Sequence, residues 1–278
     1  MVQLSEGEVF KRAIRLPAFP RVVNDILKTL DDDNATLGAL VRFVETDPVI
    51  TARIISAANS AALGARRSGQ LRNVQMAISL IGLARVREIA LAVSLAVFAQ
   101  QSQMSAHYWE HSVAVAITAQ ELGRFTRSSP DYALVAGLLH DIGQLWMARF
   151  YPLEFQMVRT ALNAGQENII DVERHYFGMD HCAIGALLAS QWGLPPRVVA
   201  AIGFHHDPSP ALDDKLVALI HVAEVFANAL DLTERLDNQV TTLSEEACAA
   251  IGLNWEEDLG FLFGKIEART ENACRIFR

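Results

Sequence analysis

The sequence predicts an all-α protein, an N-terminal helical lobe packed on an HD-like helical bundle, and three observations lead there. Apolar residues recur at helical spacing along most of the chain. Capping residues or prolines stand ahead of many of these runs. No stretch sustains period-two alternation closed by Asn-Gly or Asp-Gly turns, which argues against a sheet.

Taken in order, Ser5 and Glu8 have capping-box spacing ahead of Val9 to Ile14. Pro20 precedes RVVNDILKTL, whose Val22, Ile26, Leu27 and Leu30 share a face. Thr36 is placed to cap LGALVRFVE, and Asp47-Pro48 reads as a cap followed by proline at the first helical position, leading into VITARIISAANS. Asn59-Ser60 is expected to cap or turn the backbone. Asn73 is placed to cap VQMAISLI, and Gly82 to end that helix. A long apolar helix follows from Leu83 to Phe98. Beyond the polar stretch QQSQMS come WEHSVAVAITAQELGRF, YALVAGLLHDIGQLWMARF, a helix near Ile169 to Tyr176, HCAIGALLASQW, PRVVAAIGFHH and KLVALIHVAEVFANAL. These runs are apolar nearly all round, the signature of helices buried in a bundle core. The tail carries further helices near Ser244 to Ala250 and Leu259 to Arg269.

Three regions follow: an N-terminal lobe over 1–103, a helical bundle over 104–230 and a C-terminal helical extension over 231–278. Half the residues are hydrophobic and a fifth charged, as in an ordinary globular protein. No apolar run is long enough to span a bilayer, and the start has no basic region followed by an apolar run and a small-residue cleavage site. The expectation is no membrane association. The net charge of −8 is uneven, with 12 basic and 9 acidic residues over 1–100 against 12 and 23 afterwards. Without clustered positive charge to displace counterions, a nucleic-acid groove is not expected. Arg66, Arg67 and Arg72 read as a solvated loop. Cys182, Cys248 and Cys274 are too few and too scattered for a disulfide framework or a Cys-type zinc knuckle, and a reducing, cytoplasmic setting is expected.

The chemistry-bearing residues stand out against this apolar background. His111 opens one helix, His140-Asp141 lies in the next, and His181 begins a third. His205-His206 closes a fourth, and Glu224 lies in a fifth. An unpaired imidazole or carboxylate at any of these places is costly to bury. These groups are therefore expected to satisfy one another around a common point, directly or through metal. His111, His140, Asp141 and Glu224 would form one ligand set. Asp141, His181, His205 and His206 would form the other, with Asp141 bridging, and such a mixture of imidazole and carboxylate suits iron, zinc or manganese. Such a site supports in-line attack of water on phosphorus.

GLLHDIGQL, GMDHCAIGALLASQWGLP and FHHDP resemble the second half of HDOD proteins, members of the HD superfamily. LPAFP, ETDPVITARIISAANSA and MAISLIGLARVREIALA resemble the first half. The resemblance runs from about Phe10 to Leu230. It implies a bacterial signal-transduction module that regulates through protein contacts and binds one or two divalent ions (Fe, Mn, Zn or Mg) at His111, His140, Asp141, His181, His205, His206 and Glu224. Its partners would be other signalling proteins or a nucleotide second messenger. The alternative it implies is a metal-dependent phosphohydrolase or phosphodiesterase acting on a nucleotide or cyclic dinucleotide, with Asp141 as the catalytic residue.

Three departures bear on that alternative. Glu224 stands where the family usually has Asp. Gln144 replaces the lysine that often follows HDIG in cyclic-dinucleotide phosphodiesterases, and so brings no positive charge to a developing oxyanion. The Gly-Tyr-Pro element of that branch is absent, since DPSPALDD follows His206. These weigh against turnover more than against metal binding.

Overall fold

The computed structural model describes residues 2–16, 19–28, 41, 44–45, 47–64, 74–102, 106–163, 168–232, 242–255 and 259–274. Among these residues there is no strand, and no helix is long and apolar enough to cross a membrane. The chain divides into two compact units, residues 17–103 and a larger one comprising Met1–Leu16 with Met104–Arg278.

Within the larger unit, α1 (Glu6–Ala13) begins as its sequence predicts, with the Ser5 hydroxyl accepting from the Glu8 N–H at 3.4 Å. Met1–Leu16 falls in this unit and not with residues 17–103, where the sequence reading grouped it. The reason is local. The backbone N–H groups of Val2 and Leu4 donate to the carbonyls of Tyr176 and Phe177, the Tyr151 hydroxyl donates to Glu8, and Leu4, Val9, Ala13 and Leu16 are buried. Each large apolar side chain so buried contributes about 1.5–3 kcal/mol.

The smaller unit holds α2 (Arg21–Lys28), α3 (Pro48–Gly64), α4 (Val74–Ile81) and α5 (Leu83–Ser102). The Asp47 carboxylate accepts from the N–H groups of Val49 and Ile50, and Pro48 fills the first helical position. Ile50, Ile54 and Ala58 of α3 are buried, as are Val23, Ile26 and Leu27 of α2, and Phe19 meets Phe98 edge-on. Gly82, at φ +80°, ends α4 as expected. Asn59-Ser60 neither caps nor turns the chain. Both residues lie inside α3, where the Ser60 hydroxyl donates back to the Ser56 carbonyl. Thr36, Asn73 and Arg66, Arg67 and Arg72 lie outside the described residues.

The remaining helices build the bundle: α6 (Ala106–Phe125), α7 (Pro130–Leu139), α8 (Ile142–Phe150), α9 (Pro152–Asn163), α10 (Ile169–Phe177), α11 (His181–Gln191), α12 (Pro196–Phe204) and α13 (Lys215–Ala229). Two more, α14 (Glu245–Ile251) and α15 (Leu259–Cys274), pack on α13 and α6 respectively. The C-terminal region thus belongs to the same compact unit as the bundle. Helix α6 is the central member, with α7, α13 and α15 against it. A Cβ added at Gly137 would lie 2.7 Å from the Ala116 Cα, so glycine is what lets α7 press its backbone onto α6.

The run YALVAGLLHDIGQLWMARF, which the sequence reads as one helix, is two. The backbone breaks at His140-Asp141, with Asp141 at φ −94°, ψ 12°. Gly143 explains the new direction. Its α-carbon passes so near α11 that an added Cβ would sit 2.0 Å from the His181 carbonyl oxygen. The break aims α8 across α11 and leaves the His-Asp pair at the corner.

Candidate metal centre

All seven expected ligands converge in the larger unit, delivered by α6 (His111), the α7–α8 corner (His140, Asp141), α11 (His181), the end of α12 (His205, His206) and α13 (Glu224). Asp141 is the hub. Its Oδ2 lies 3.4 Å from His140 Nε2 and 3.8 Å from His111 Nε2. Its Oδ1 lies 3.2 Å from His181 Nε2 and 3.8 Å from His205 Nε2. The two oxygens serve two sides of the cluster, as a bridging carboxylate does. Glu224 falls on the second side, 3.6 Å from His205 Nε2 and 3.9 Å from His206 Nε2. It also groups with His140 and His205.

The fold fixes which ring nitrogens are available. His140 Nδ1 donates to the Gly137 carbonyl at 2.7 Å, and His205 Nδ1 to the Ile202 carbonyl at 2.8 Å. His181 Nδ1 donates to Glu173 Oε2 at 2.6 Å, and the same oxygen accepts the His181 backbone N–H at 2.8 Å. With Nδ1 donating in each ring, a neutral imidazole carries its lone pair on Nε2. His181 Nε2 and His205 Nε2 nevertheless lie 3.3 Å apart. Two lone pairs cannot face each other in a dry core without a cation between or beside them, either a proton or a metal ion. His140 Nε2 and His206 Nε2 are buried with no hydrogen-bond partner. The donor set therefore fits a divalent ion.

The electrostatics follow this geometry. Burial works against a charge on His140, but Asp141 outweighs it and holds the pKa above the ordinary histidine value. For Asp141, burial would favour the protonated form, yet His140, His181 and His111 keep the carboxyl well below its usual range. Burial likewise opposes a charge on His181, and Cys182 and Glu173 carry it well above normal. Burial raises the pKa of the Cys182 thiol above its ordinary value. His205 is pushed well below normal by burial, then by His206 and His140. A proton and a metal ion compete for the same His181 Nε2 lone pair.

Several supporting residues lie outside the predicted set. Glu173, fully buried on α10, orients His181 in the carboxylate–histidine arrangement common around metal ligands. The only sequence signal was an acid flanked by Val172 and Phe177 on an otherwise buried face. Gln144 donates to Asp141 Oδ1 at 3.1 Å, so its amide is committed to the hub carboxylate. His221, off the motif, donates to the His205 carbonyl at 2.8 Å and accepts the Ser244 N–H at 3.1 Å. Ser244 in turn caps α14, so the C-terminal region braces the turn that carries His205-His206.

A helical bundle whose buried centre is assembled from a His-Asp corner and imidazoles of neighbouring helices defines an HD-like domain. The profile of the HDOD domain matches residues 16–208, and the chain belongs to that family. Among similar solved structures is an HDOD domain protein of unknown function from Geobacter sulfurreducens, 23% identical, with 96% of each chain covered and a TM-score of 0.77. Another, from Shewanella amazonensis SB2B and provisionally described as a phosphohydrolase, is 24% identical over 97% of this chain and 96% of that one, with a TM-score of 0.68. An uncharacterized protein of Treponema pallidum (strain Nichols) is 24% identical over 227 residues, 78% of this chain and 43% of that protein. The chain thus spans less than half the length of that curated relative. At these identities the structural likeness establishes the fold.

Proposed function

We propose that this protein is a regulatory HDOD module of bacterial signal transduction, acting through protein contacts, whose HD-like centre binds divalent metal. The observation that carries the metal reading is the 3.3 Å approach of His181 Nε2 to His205 Nε2 beside Asp141, with both Nδ1 atoms already donating. His111, His140, Asp141, His181, His205, His206 and Glu224 would hold the ion or ions. Because these ligands come from five helices, occupancy would set how firmly α6, α8, α11, α12 and α13 are tied, and a partner protein would read that state at the surface. A divalent ion held there supplies positive charge and Lewis acidity.

The regulatory reading is supported by how closed the centre is. The side chains of His140, His181 and His205 have no exposure, Asp141 has 3%, and the most open ligand, His206, has 13%. A phosphodiester would have to enter past His206 and Glu224. Gln144 is bonded to Asp141 and brings no cation to a phosphate. The second reading, a metal-dependent phosphohydrolase on a nucleotide or cyclic dinucleotide with Asp141 catalytic, is favoured by the way the two Asp141 oxygens serve two ligand groups.

Elemental analysis of protein purified without chelator, followed by incubation of the metal-loaded chain with nucleotides and cyclic dinucleotides, separates the two. The regulatory reading expects bound metal, lost in Asp141→Ala, and intact substrates. Cleavage that Asp141→Ala abolishes would establish the second reading, and a metal-free protein that takes up no added ion would remove both.

A further inference from the structure

We infer that Cys182 is a fourth kind of ligand in this centre, making the half built by His181, His205 and His206 a closed, sulfur-containing site that selects zinc over magnesium or manganese. The inference deepens the metal-binding reading above and rests on it. Cys182 is the first residue after His181 on α11, and its thiol is buried and in no disulfide. Sγ lies 3.6 Å from His181 Nε2 and beside the His205 ring, 3.7 Å from its Nδ1 and 3.9 Å from its Nε2, and the two Nε2 atoms are 3.3 Å apart.

These three edges can be set against zinc chemistry. Bonds of about 2.3 Å to sulfur and about 2.0–2.1 Å to imidazole place tetrahedral donors about 3.3 Å apart for nitrogen–nitrogen pairs and about 3.6 Å for sulfur–nitrogen pairs. The two edges that meet at His181 Nε2, 3.3 Å to nitrogen and 3.6 Å to sulfur, match those dimensions, and the edge from Sγ to His205 Nε2, 3.9 Å, is longer. A ring nitrogen of His206 completes four donors that lie within 4.8 Å of one another.

Independent of the cysteine, the Nε2 atom of the neighbouring His206 is buried without a hydrogen-bond partner, as a group awaiting a Lewis acid is. On binding, the S–H bond breaks, its proton passes to solvent and the sulfur lone pair forms the metal bond. Thiolate and imidazole together suit zinc, whereas magnesium and manganese prefer oxygen donors. With Asp141 Oδ1 also beside His181 Nε2 and His205 Nε2, these donors leave no open position of the kind catalytic zinc keeps, which agrees with a regulatory role.

The test is cobalt(II) substitution in the full chain, read by absorption. A near-ultraviolet sulfur-to-cobalt charge-transfer band is expected in the native sequence. Cys248→Ala and Cys274→Ala should keep it, and Cys182→Ala and Cys182→Ser should lose it while still showing the visible cobalt bands. Zinc affinity of the Cys182 variants, by chelator competition, should fall by more than about 100-fold, beyond the 10–100-fold typical of groups that only orient ligands. The native spectrum decides the matter even if a variant misfolds. Cobalt uptake without the charge-transfer band overturns the Cys182 assignment and leaves the metal centre standing. Absence of any cobalt or zinc uptake overturns both.

Discussion

Glu173 Oε2 sits 2.6 Å from His181 Nδ1 and also receives the His181 backbone N–H, so one buried carboxylate fixes both the ring and the start of α11. This pair sets which face of His181 meets Asp141. Replacing Glu173 with Ala removes the acceptor for two buried donors, each costing about 1–3 kcal/mol when unpaired. We expect Glu173→Ala to lower the melting temperature and to weaken zinc binding by about 10–100-fold. Glu173→Gln keeps an acceptor and should recover part of both. Calorimetry and zinc competition on the same samples check this, and unchanged affinity in the alanine variant would count against the orienting role.

Gly143 and Gly123 form a matched pair of tests. A Cβ at Gly143 would meet the His181 carbonyl at 2.0 Å, a backbone atom that cannot swing aside, whereas one at Gly123 would touch its nearest atoms at an ordinary 3.5 Å. Gly143→Ala should destabilise by about 3 kcal/mol or more, at or above the usual upper end for overpacking, and should weaken metal uptake by moving His181. Gly123→Ala, inside α6, should be neutral or stabilise by up to about 1 kcal/mol through helix propensity. Chemical denaturation of the two variants decides it.

The docking of α15 on α6 should depend on pH. Glu121 is buried on α6 and paired with Lys265 at 2.6 Å, and with Arg269 and Arg124. Burial alone would raise its pKa, but these cations outweigh it and hold the carboxyl below its ordinary value of 4.5. A lowered folded-state pKa means the stabilisation is present above the unfolded value and lost as pH falls through the folded one. Glu121→Gln should therefore be about 1–2 kcal/mol less stable than the native chain near neutral pH, the cations being able to reach water. The difference should shrink below about pH 4.5. Denaturant midpoints across a pH series measure it, and a gap that persists at acid pH would contradict the pairing.

Removing residues 2–16 should destabilise the bundle unit. That segment buries Leu4, Val9, Ala13 and Leu16 and supplies two backbone hydrogen bonds to the end of α10. The loss is expected to be about 4 kcal/mol or more, two or more large apolar side chains' worth. A deletion variant whose unfolding midpoint matches the full chain would refute this placement.

The sequence by itself determined the all-α class, because the period of its apolar residues and its cap residues are local facts. Ser5, Asp47, Asn168, Asp214 and Ser244 each accept from an N–H of the helix they precede, a bond between neighbours in the chain. It also pointed to a set of polar residues that the structure brings together, since burying seven polar groups in apolar helices is affordable only if they meet. The tertiary structure alone decided the rest. The break at His140-Asp141 follows from the close passage of Gly143 over His181, a contact 38 residues apart that no local pattern encodes. Glu173 and Cys182 gain their places from the packing of α10, α11 and α12, and Met1–Leu16 joins the larger unit through bonds to Tyr176 and Phe177. Helix periodicity reports which face is buried, but not against what, because the partner surface comes from distant sequence.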